Sequence, residues 1–561
     1  MDSFAKIKRR TTDLMENASK NLPTMPKGDS SWIPKMPHMP NLPHFKSDAS
    51  MKGTWQHISL PPLPRSSHSL NVVGGSAYIF GGEVEPRKPV DNDMHVVTLP
   101  MSGAPADYYN VKAKPTPKTQ QPTAPEPAPV GAEEEEFATP MTELKEPLDE
   151  IPLASPQPTT SDSAPAVDKG KSPDLSNAEV PSARVGHATA VIGTRIFLFG
   201  GRSAASETLD EQGRVWVFET KTHTWAYIDP AENSPICPAR SYFAAVATDK
   251  PRDFALKGSS KVKESWKEWA EGDSAEVGIP QKPIAGNVAL NAQDEEDAGF
   301  GTFIVHGGCL KDGDRTNDIW AFDVRSRIWK ELPAAPGKPR GGAALAIAKS
   351  RLYRFGGFDG EGEIGGQLDV LELGIEVFND QVSKGEIGLF ARGDWVTLTP
   401  PAAEGQGETG SLVTEEWPGA RSVSGLHLVM GGGGREYLAL LLGEQSPSGA
   451  GHDGAGKFWS DVWVFQVPPI GMTAASFKDA FLQATGRKTG EGKWTRIALE
   501  PYDDEVDADA RGPGPRGWFA SDAMGDLEEG GVVLFGGIDE NNKRLGDGWV
   551  FRLGDAKAWT N

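Results

Sequence analysis

One unit recurs six times along this chain, and this repetition restricts the fold more than any other feature. Each copy opens with an arginine close to Pro or Gly, runs into small and apolar residues, and then turns into a second short apolar strand, which ends in Gly-Gly in five copies. The fifth copy is looser. The arginines at the head of the copies are Arg65, Arg184, Arg240, Arg340, Arg421 and Arg516. A unit repeated at a fixed period indicates an architecture of stacked supersecondary elements.

Each copy contains four strand signals. After "RIFLF" or "RLYRF" and a variable loop comes a third, alternating strand such as "RVWVFET" or "NDIWAFDV", and a tryptophan then opens a fourth strand, as at Trp225 and Trp329. Trp395 and Trp494 are delayed counterparts of these tryptophans. Four antiparallel strands per unit, repeated about every fifty residues with a Gly-Gly pair and a tryptophan at set places, are typical of a propeller blade. The sequence therefore predicts an all-β, six-bladed propeller over residues 54–555.

The last unit needs a fourth strand to close the ring, and two segments are candidates. Trp559 is followed by only two residues, which is too few for a strand, whereas "TWQHISL" around Trp55 has full strand length. We therefore expect the N-terminal segment to complete the last blade and to leave no open sheet edge. The first unit lacks a fourth-strand tryptophan, and "ADYYNVKA" (106–113), with Tyr108 or Tyr109, takes that place.

The spacing of the units predicts where the chain carries insertions. Arg65 and Arg184 are 119 residues apart, whereas the next pair is 56 apart, and the excess coincides with an acidic, Pro-rich stretch. Such a stretch cannot bury enough apolar surface to fold, so we expect 114–178 to be a disordered insertion between the first two blades. Shorter insertions are expected near 250–298, 374–392, 402–414 and 470–492.

Residues 1–50 have a different character from the repeats. Phe4, Ile7, Leu14 and Ala18 lie near one face of a short basic amphipathic helix, and a Pro-rich, polyproline-like linker follows. Two interpretations stand: this N-terminal tail contacts a membrane or a protein partner, or it is a frayed tail.

Charge and cysteine usage exclude some classes of partner. Lys and Arg total 57 against 78 Asp and Glu, a formal charge of −21, which argues against nucleic acid as a partner of the propeller. Two cysteines are too few for a disulfide framework, and the N-terminus lacks a signal-like apolar run, so we expect a reducing, cytoplasmic location. No apolar run reaches the length of a membrane span, so we expect no transmembrane segment.

The segments "PRSSHS…AYIFGG" and "GG…DIWAFDVRSRIW" resemble the kelch repeat, a β-propeller family, over nearly all of residues 54–553. The blade order that starts with "PRSSHSLNVVGGSAYIFGGEVEPRKPVDNDMHVV" and "RVGHATAVIGTRIFLFGGR" further resembles the nitrile-specifier and epithiospecifier branch. This resemblance implies Fe(II)-dependent steering of glucosinolate breakdown, which is a non-hydrolytic, lyase-type activity.

The same resemblance implies a metal site in the fifth blade. Family iron ligands follow a Gly-Glu-x-x-x-Asp-x-x-x-His pattern, and here "GEQSPSGAGH" aligns Glu444 and His452 with its ends and puts Ser448 in place of the Asp. Carboxylate and imidazole suit Fe(II), whereas a neutral hydroxyl is a poorer ligand. The alternative interpretation is that Glu444 is a turn residue and His452 an ordinary loop histidine.

The repeated arginines are candidates for ligand binding. Arginines at the head of innermost strands crowd one mouth of a propeller channel, where guanidinium groups pair with sulfate or carboxylate. The resemblance assigns substrate contacts to Arg184 and Arg240, with Arg65 as a further candidate. The alternative is that an arginine present in every blade serves hydrogen bonding within and between blades.

Two functions remain open at this level. In the first, the propeller binds a small anionic or sulfur-containing ligand at the channel mouth and assists its Fe(II)-dependent rearrangement. In the second, it is a non-enzymatic scaffold for protein partners, which the Pro-rich insertion and basic tail would suit. A fold does not choose between them.

Overall fold

The computed structural model describes residues 51–100, 104–117, 179–248, 301–375, 388–400, 417–431, 435–449, 454–468, 492–502, 512–525 and 530–554. These residues belong to one unit, Ser50–Asn561. The expected tail of residues 1–50 lies outside the described ranges, and so does Trp559.

Six sheets of four or five strands, here called blades 1 to 6, correspond to the six repeats, and three two-stranded sheets accompany blades 1, 3 and 5. The chain begins with β1 (Lys52–Ile58), and blades 1 and 2 follow with β2 (Ser69–Val73), β3 (Ser76–Phe80), β4 (Glu83–Glu85), β5 (Lys88–Pro89), β6 (Met94–Thr98) and β7 (Asp107–Val111) in blade 1 and β8 (Ala188–Ile192), β9 (Arg195–Phe199), β10 (Val215–Glu219) and β11 (Thr224–Ile228) in blade 2. Blade 3 contains β12 (Arg240–Ser241), β13 (Ala244–Thr248), β14 (Thr302–His306), β15 (Cys309–Leu310), β16 (Ile319–Asp323) and β17 (Ile328–Leu332), and blade 4 contains β18 (Ala344–Ala348), β19 (Arg351–Phe355), β20 (Leu368–Ile375), β21 (Leu389–Ala391) and β22 (Val396–Leu398). Blade 5 contains β23 (Gly425–Gly431), β24 (Arg435–Leu441), β25 (Glu444–Ser446), β26 (Lys457–Phe458), β27 (Val462–Gln466) and β28 (Trp494–Arg496), and the strands after it are β29 (Ala498–Pro501), β30 (Ala520–Ala523), β31 (Val532–Phe535) and β32 (Gly548–Leu553).

The fourth-strand tryptophans fill the space between neighbouring blades. Trp225 is 1% exposed and packs against Phe218 of its own blade and Phe80 of blade 1, both with ring centroids 5.1 Å away. Trp329 repeats this arrangement with Phe322 and with Phe199 of blade 2. Because strand side chains alternate between the two faces of a sheet, the alternating apolar pattern supplies both faces of each blade. These contacts explain why the tryptophan recurs in the repeat.

Strand β1 closes the ring, as predicted. It pairs antiparallel with β32, with Trp55 opposite Phe551, and thereby becomes the fourth strand of blade 6. On its other side β1 pairs in parallel with β29, so it lies between two strands from the far end of the chain. The innermost strands β2, β8, β13, β18, β23 and β30 contact one another around the full circle. The all-β, six-bladed propeller closed by an N-terminal strand is confirmed.

The fourth strand of blade 1 is also where the sequence places it, at β7. In blade 4, β22 follows directly after Trp395 and pairs with β20. Both ends of the insertion expected at 374–392 form strands, because β20 continues to Ile375 and pairs with β21.

Most of the expected insertion at 114–178 lies outside the described residues. Its first four residues, 114–117, run beside β11 of blade 2, where the Thr116 amide donates to the Trp225 carbonyl over 2.7 Å and the Trp225 amide donates to the Lys114 carbonyl over 2.9 Å. The insertions expected near 250–298, 402–414 and 470–492 lie outside the described residues, except for Gly492. Within the described ranges, no helix is long and apolar enough to cross a bilayer.

Candidate functional site

The six repeated arginines are framework residues of the blades. Each stands four residues before an innermost strand, is at most 3% exposed, and turns its side chain into its own blade. There Nη1 donates to a main-chain carbonyl oxygen over 2.9 to 3.2 Å. The acceptors are the carbonyl oxygens of Gly81, Gly200, Gly307, Gly356, Leu442 and Gly536. The arginine side chain thus ties the start of each blade to the end of its second strand.

Four of these arginines are also ion-paired to a carboxylate that lies shortly before the third strand. Arg184 pairs with Glu211, Arg240 with Asp318, Arg421 with Asp461 and Arg516 with Asp547. Each carboxylate also accepts the indole N–H of a third-strand tryptophan over 2.6 to 2.9 Å. Burial by itself raises the pKa of Asp318, but the hydrogen bond and charge of Arg240 outweigh it and hold that pKa below its ordinary value.

The remaining two framework arginines, Arg65 and Arg340, have no such carboxylate partner in the described residues. Arg65 Nη2 lies 3.1 Å from Nε2 of His95, whose ring also contacts Asp91. In blade 4 the buried carboxylate Asp369 pairs with Arg354 rather than with Arg340. Burial and the neighbouring Arg354 charge lower the pKa of Arg340 to about 10.

The Gly-Gly pair joins each blade to the next. The amide of its second glycine donates over 2.9 to 3.0 Å to the carbonyl of the next blade's framework arginine, at all six junctions. The first glycine has positive φ in five blades, and at Gly356 an added Cβ would lie 2.2 Å from the carbonyl oxygen of Arg421. A side chain cannot occupy that space, which explains why glycine recurs there.

A second ring of main-chain hydrogen bonds lies two residues after each framework arginine. The residues at these positions all have φ between 44 and 61° and are Ser67, Gly186, Tyr242, Gly342, Val423 and Trp518. At five of the six junctions, the amide of one donates to the carbonyl of its counterpart in the preceding blade over 2.7 to 3.0 Å. Tyr242, Gly342, Val423 and Trp518 from this ring line a cavity at one mouth of the channel. The cavity therefore rests on a rigid backbone.

Residues of all six blades line this cavity, which has a volume of about 310 Å³. Most come from the loops that follow Gly-Gly, in which short bridges such as Cys309–Arg315 and Phe358–Glu363 fix the backbone. Trp518 meets Tyr242 edge to face, with centroids 5.5 Å apart, and burial raises the pKa of Tyr242 to about 12.

One side of the cavity is basic. Arg87, Arg202 and Arg315, from blades 1 to 3, line it. Arg315 lies over the ring of Phe358, 5.0 Å from its centroid, and Arg202 donates to Ser241 Oγ and the Ser206 carbonyl. Within the described ranges none of the three is ion-paired to a carboxylate.

The opposite side, from blades 4 and 5, is acidic and consists of Glu363 and Glu444. Trp518 Nε1 donates to Glu444 Oε2 over 3.1 Å, and burial raises the pKa of Glu444 to about 7. Burial, with the Glu444 charge adding, raises the pKa of Glu363 to about 8. Where blade 6 meets blade 1, Glu83 is instead paired with Arg544 at 3.3 Å.

The structure brings some of the predicted site residues together and separates others. Glu444 and Ser448 line the cavity, whereas His452 lies outside the described residues. Arg65, Arg184 and Arg240 are not among the lining residues, and their part in ligand binding stays a prediction. Among the described residues there is no group of three or more His, Cys, Asp or Glu side chains placed to hold a metal ion.

Sequence reasoning missed the three cavity arginines and Glu363. A signal was present, because Arg87, Arg202, Arg315 and Glu363 all stand one to seven residues after a Gly-Gly pair. These loops all open at the same end of a propeller channel.

Comparisons with known proteins agree with the repeat analysis. Residues 183–230 match the Kelch motif. A protein of Thlaspi arvense, N-(sulfonatooxy)prop-2-enimidothioate sulfolyase, is 28% identical over 195 residues, 32% of this chain and 53% of that protein. The dynein alpha chain of the flagellar outer arm of Chlamydomonas reinhardtii is 25% identical over 205 residues, 36% of this chain and 3% of the dynein.

The chain thus spans about half the length of the Thlaspi protein and a small part of the dynein. A solved structure titled "Structure of YjhT" covers 88% of this chain and 99% of its own, with 10% identity and a TM-score of 0.43. The chain is a kelch-repeat propeller that resembles the specifier proteins.

Proposed function

We propose that the channel-mouth cavity binds a small organic anion through Arg202 and Arg315, with Arg87 at its rim. The observation that carries this proposal is the set of three arginines without a carboxylate partner in the described residues, all lining one cavity. A guanidinium group presents a planar fork of donors that matches sulfate and carboxylate oxygens. An anionic ligand would supply the negative charge that balances these arginines.

The size and walls of the cavity support a small ligand. Sites for small molecules typically measure about 300 to 1,000 Å³ and combine apolar walls with a few polar groups. Here Phe358, Phe458 and Ile538 supply apolar surface beside the arginines. The name of the Thlaspi relative refers to a sulfonatooxy compound, which is an anion of this kind. The proposed reaction class is a lyase-type, non-hydrolytic rearrangement in which Arg202 and Arg315 hold the sulfate group.

We also propose Fe(II) on the acidic side of the cavity, held by Glu444 and His452. The Glu444 carboxylate suits a metal ion, because Trp518 donates to its Oε2 atom and Gly456 lies beside its Oε1 atom. A Cβ on Gly456 would lie 2.4 Å from Oε1, so the glycine leaves the space beside this oxygen open. Ser448, in the same cavity, supplies only a neutral oxygen. When bound, the ion would act as a Lewis acid toward a sulfur or oxygen atom of the ligand.

Calorimetric titration with prop-2-ene-1-sulfonate tests the anion site without any metal. We expect saturable binding to the wild-type chain and a loss of about tenfold or more in affinity for Arg315→Gln. Lys311→Gln is the matched control, because Lys311 lies in the same loop, carries the same charge and is 72% exposed outside the cavity. Equal affinities for the two variants would refute the anion site and favour the protein-scaffold function.

A further inference from the structure

Glu363 differs from the other glutamates of the cavity. Its Oε1 and Oε2 atoms are both buried, and neither makes a hydrogen bond of normal geometry in the described part of the chain. The uncharged Ser422 hydroxyl is close enough to lower the pKa of this carboxyl but brings no balancing charge. Glu83, in the matching loop of blade 1, has the Arg544 guanidinium and the Arg87 amide as partners. Burying a carboxylate without a charged partner costs several kcal/mol, so a group with this environment holds a proton or binds a cation.

The backbone holds Glu363 against the cavity. The Phe358–Glu363 bridge and the hydrogen bond from the Ile364 amide to the Gly357 carbonyl, 2.8 Å long, fix the loop on both sides of it. Its side chain lines the same cavity as Glu444 and Ser448 of blade 5. Within the described ranges no lysine or arginine is ion-paired to Glu363.

We infer that Glu363 is a carboxylate ligand in a divalent-cation site built across blades 4 and 5, together with Glu444. The inference rests on the metal part of the proposed function and deepens it, because it supplies from a neighbouring blade the anionic oxygen that Ser448 lacks. Two carboxylates with a neighbouring hydroxyl are hard oxygen ligands that suit Mn²⁺ and Fe²⁺. Such a cation would also remove the repulsion between the two carboxylates.

Titration of the metal-free full chain with Mn²⁺, followed by the loss of the free-ion signal in electron paramagnetic resonance, tests this site. We expect one Mn²⁺ per wild-type chain, and about tenfold or more weaker binding by Glu363→Gln. Glu361→Gln is the matched control, because Glu361 lies two residues away in the same loop, is 86% exposed and faces Lys338. Its affinity should equal that of the wild type. Equal Mn²⁺ affinities for Glu363→Gln and the wild type, or no binding by the wild type, overturn the inference.

Melting of the metal-free proteins separates a ligand from a structural carboxylate. Without a cation, Glu363→Gln should melt at the wild-type temperature or above it, because it replaces a buried acid that has no charged partner by a neutral amide of the same shape. A lower melting temperature would show that the carboxylate already has a structural partner and would overturn the inference. The cation site and the anion site can fail independently. Arg315→Gln should bind Mn²⁺ with the wild-type affinity whether or not the wild type binds the sulfonate.

Discussion

The framework arginines and the cavity arginines use one side chain for opposite purposes. Arg184 and Arg421 are fully buried, and their guanidinium groups are consumed by a carbonyl and a carboxylate of their own blade. Arg315 and Arg202 stand in the variable loops, partly exposed and without a carboxylate partner in the described residues. In a repeat protein, therefore, the residue that recurs in every unit serves stability, and residues that differ between units are better candidates for ligand contact.

The sharpest test of this contrast is Arg421→Met. The substitution leaves Asp461, which is 7% exposed, without its cation, and breaking a buried pair in this way costs about 3 to 5 kcal/mol. We expect a loss of that size in the free energy of unfolding, measured by urea denaturation. A loss below about 1 kcal/mol would mean that the framework pairs behave like surface ion pairs, and the comparison would fail.

Acid should weaken the framework through its buried histidines. Burial lowers the pKa of His187 and of His306 to about 3 and that of His427 to about 4, below the unfolded value near 6.5. The unfolded chain therefore binds more protons, and each histidine lowers the free energy of unfolding by up to about 1.4 kcal/mol per pH unit below 6.5.

The His427 contribution can be isolated by substitution. His427 Nε2 lies 2.7 Å from Ser521 Oγ, a contact that a glutamine amide can reproduce. His427→Gln should flatten the fall in the free energy of unfolding between pH 6.5 and about 4. Parallel pH profiles for the variant and the wild type, from urea denaturation at each pH, would contradict this assignment.

An added side chain should destabilise the protein more at the Gly-Gly junction than in the neighbouring loop. Gly356→Ala places a Cβ 2.2 Å from the Arg421 carbonyl at a φ of +68°, and we expect a loss of about 2 kcal/mol in unfolding free energy. Gly362→Ala is the control, because an added Cβ there meets nothing within 4 Å and its φ is not positive. Similar thermal melting of both variants would show that the junction tolerates side chains.

The smallest effect on stability is expected for Arg315→Met. Because Arg315 has no carboxylate partner in the described ranges and keeps only its contact with Phe358, its loss should change the unfolding free energy by less than about 0.5 kcal/mol. Binding of prop-2-ene-1-sulfonate should nevertheless weaken about tenfold or more, as for Arg315→Gln. Marked destabilisation would place Arg315 with the framework arginines.

Much of the fold was predictable because its determinants are local and repeated. The spacing of Gly-Gly and tryptophan marks located the strands around Trp225 and Trp329, and the full strand length of the segment around Trp55 marked it as the closing strand. Strand β29 was missed, because its partner is β1, from the opposite end of the chain. The candidate site was harder to predict than the fold. Glu363 and Arg315 follow different Gly-Gly pairs at different spacings, and only the ring brings their loops to one mouth.

The position of β1 between β32 and β29 has a consequence for synthesis of the protein on the ribosome. Strand β1 is the first of the described strands to emerge, and it finds both of its sheet partners only after the strands of the first five blades have been made. Until then both edges of β1 are unpaired, because the inner strands of blade 6 and β29 have not been made. Unpaired strand edges are templates for association with other chains. A nascent chain that stalls before β32 therefore exposes unpaired edges at both ends of its partial ring, and chaperones that recognise extended segments can distinguish it from a finished molecule.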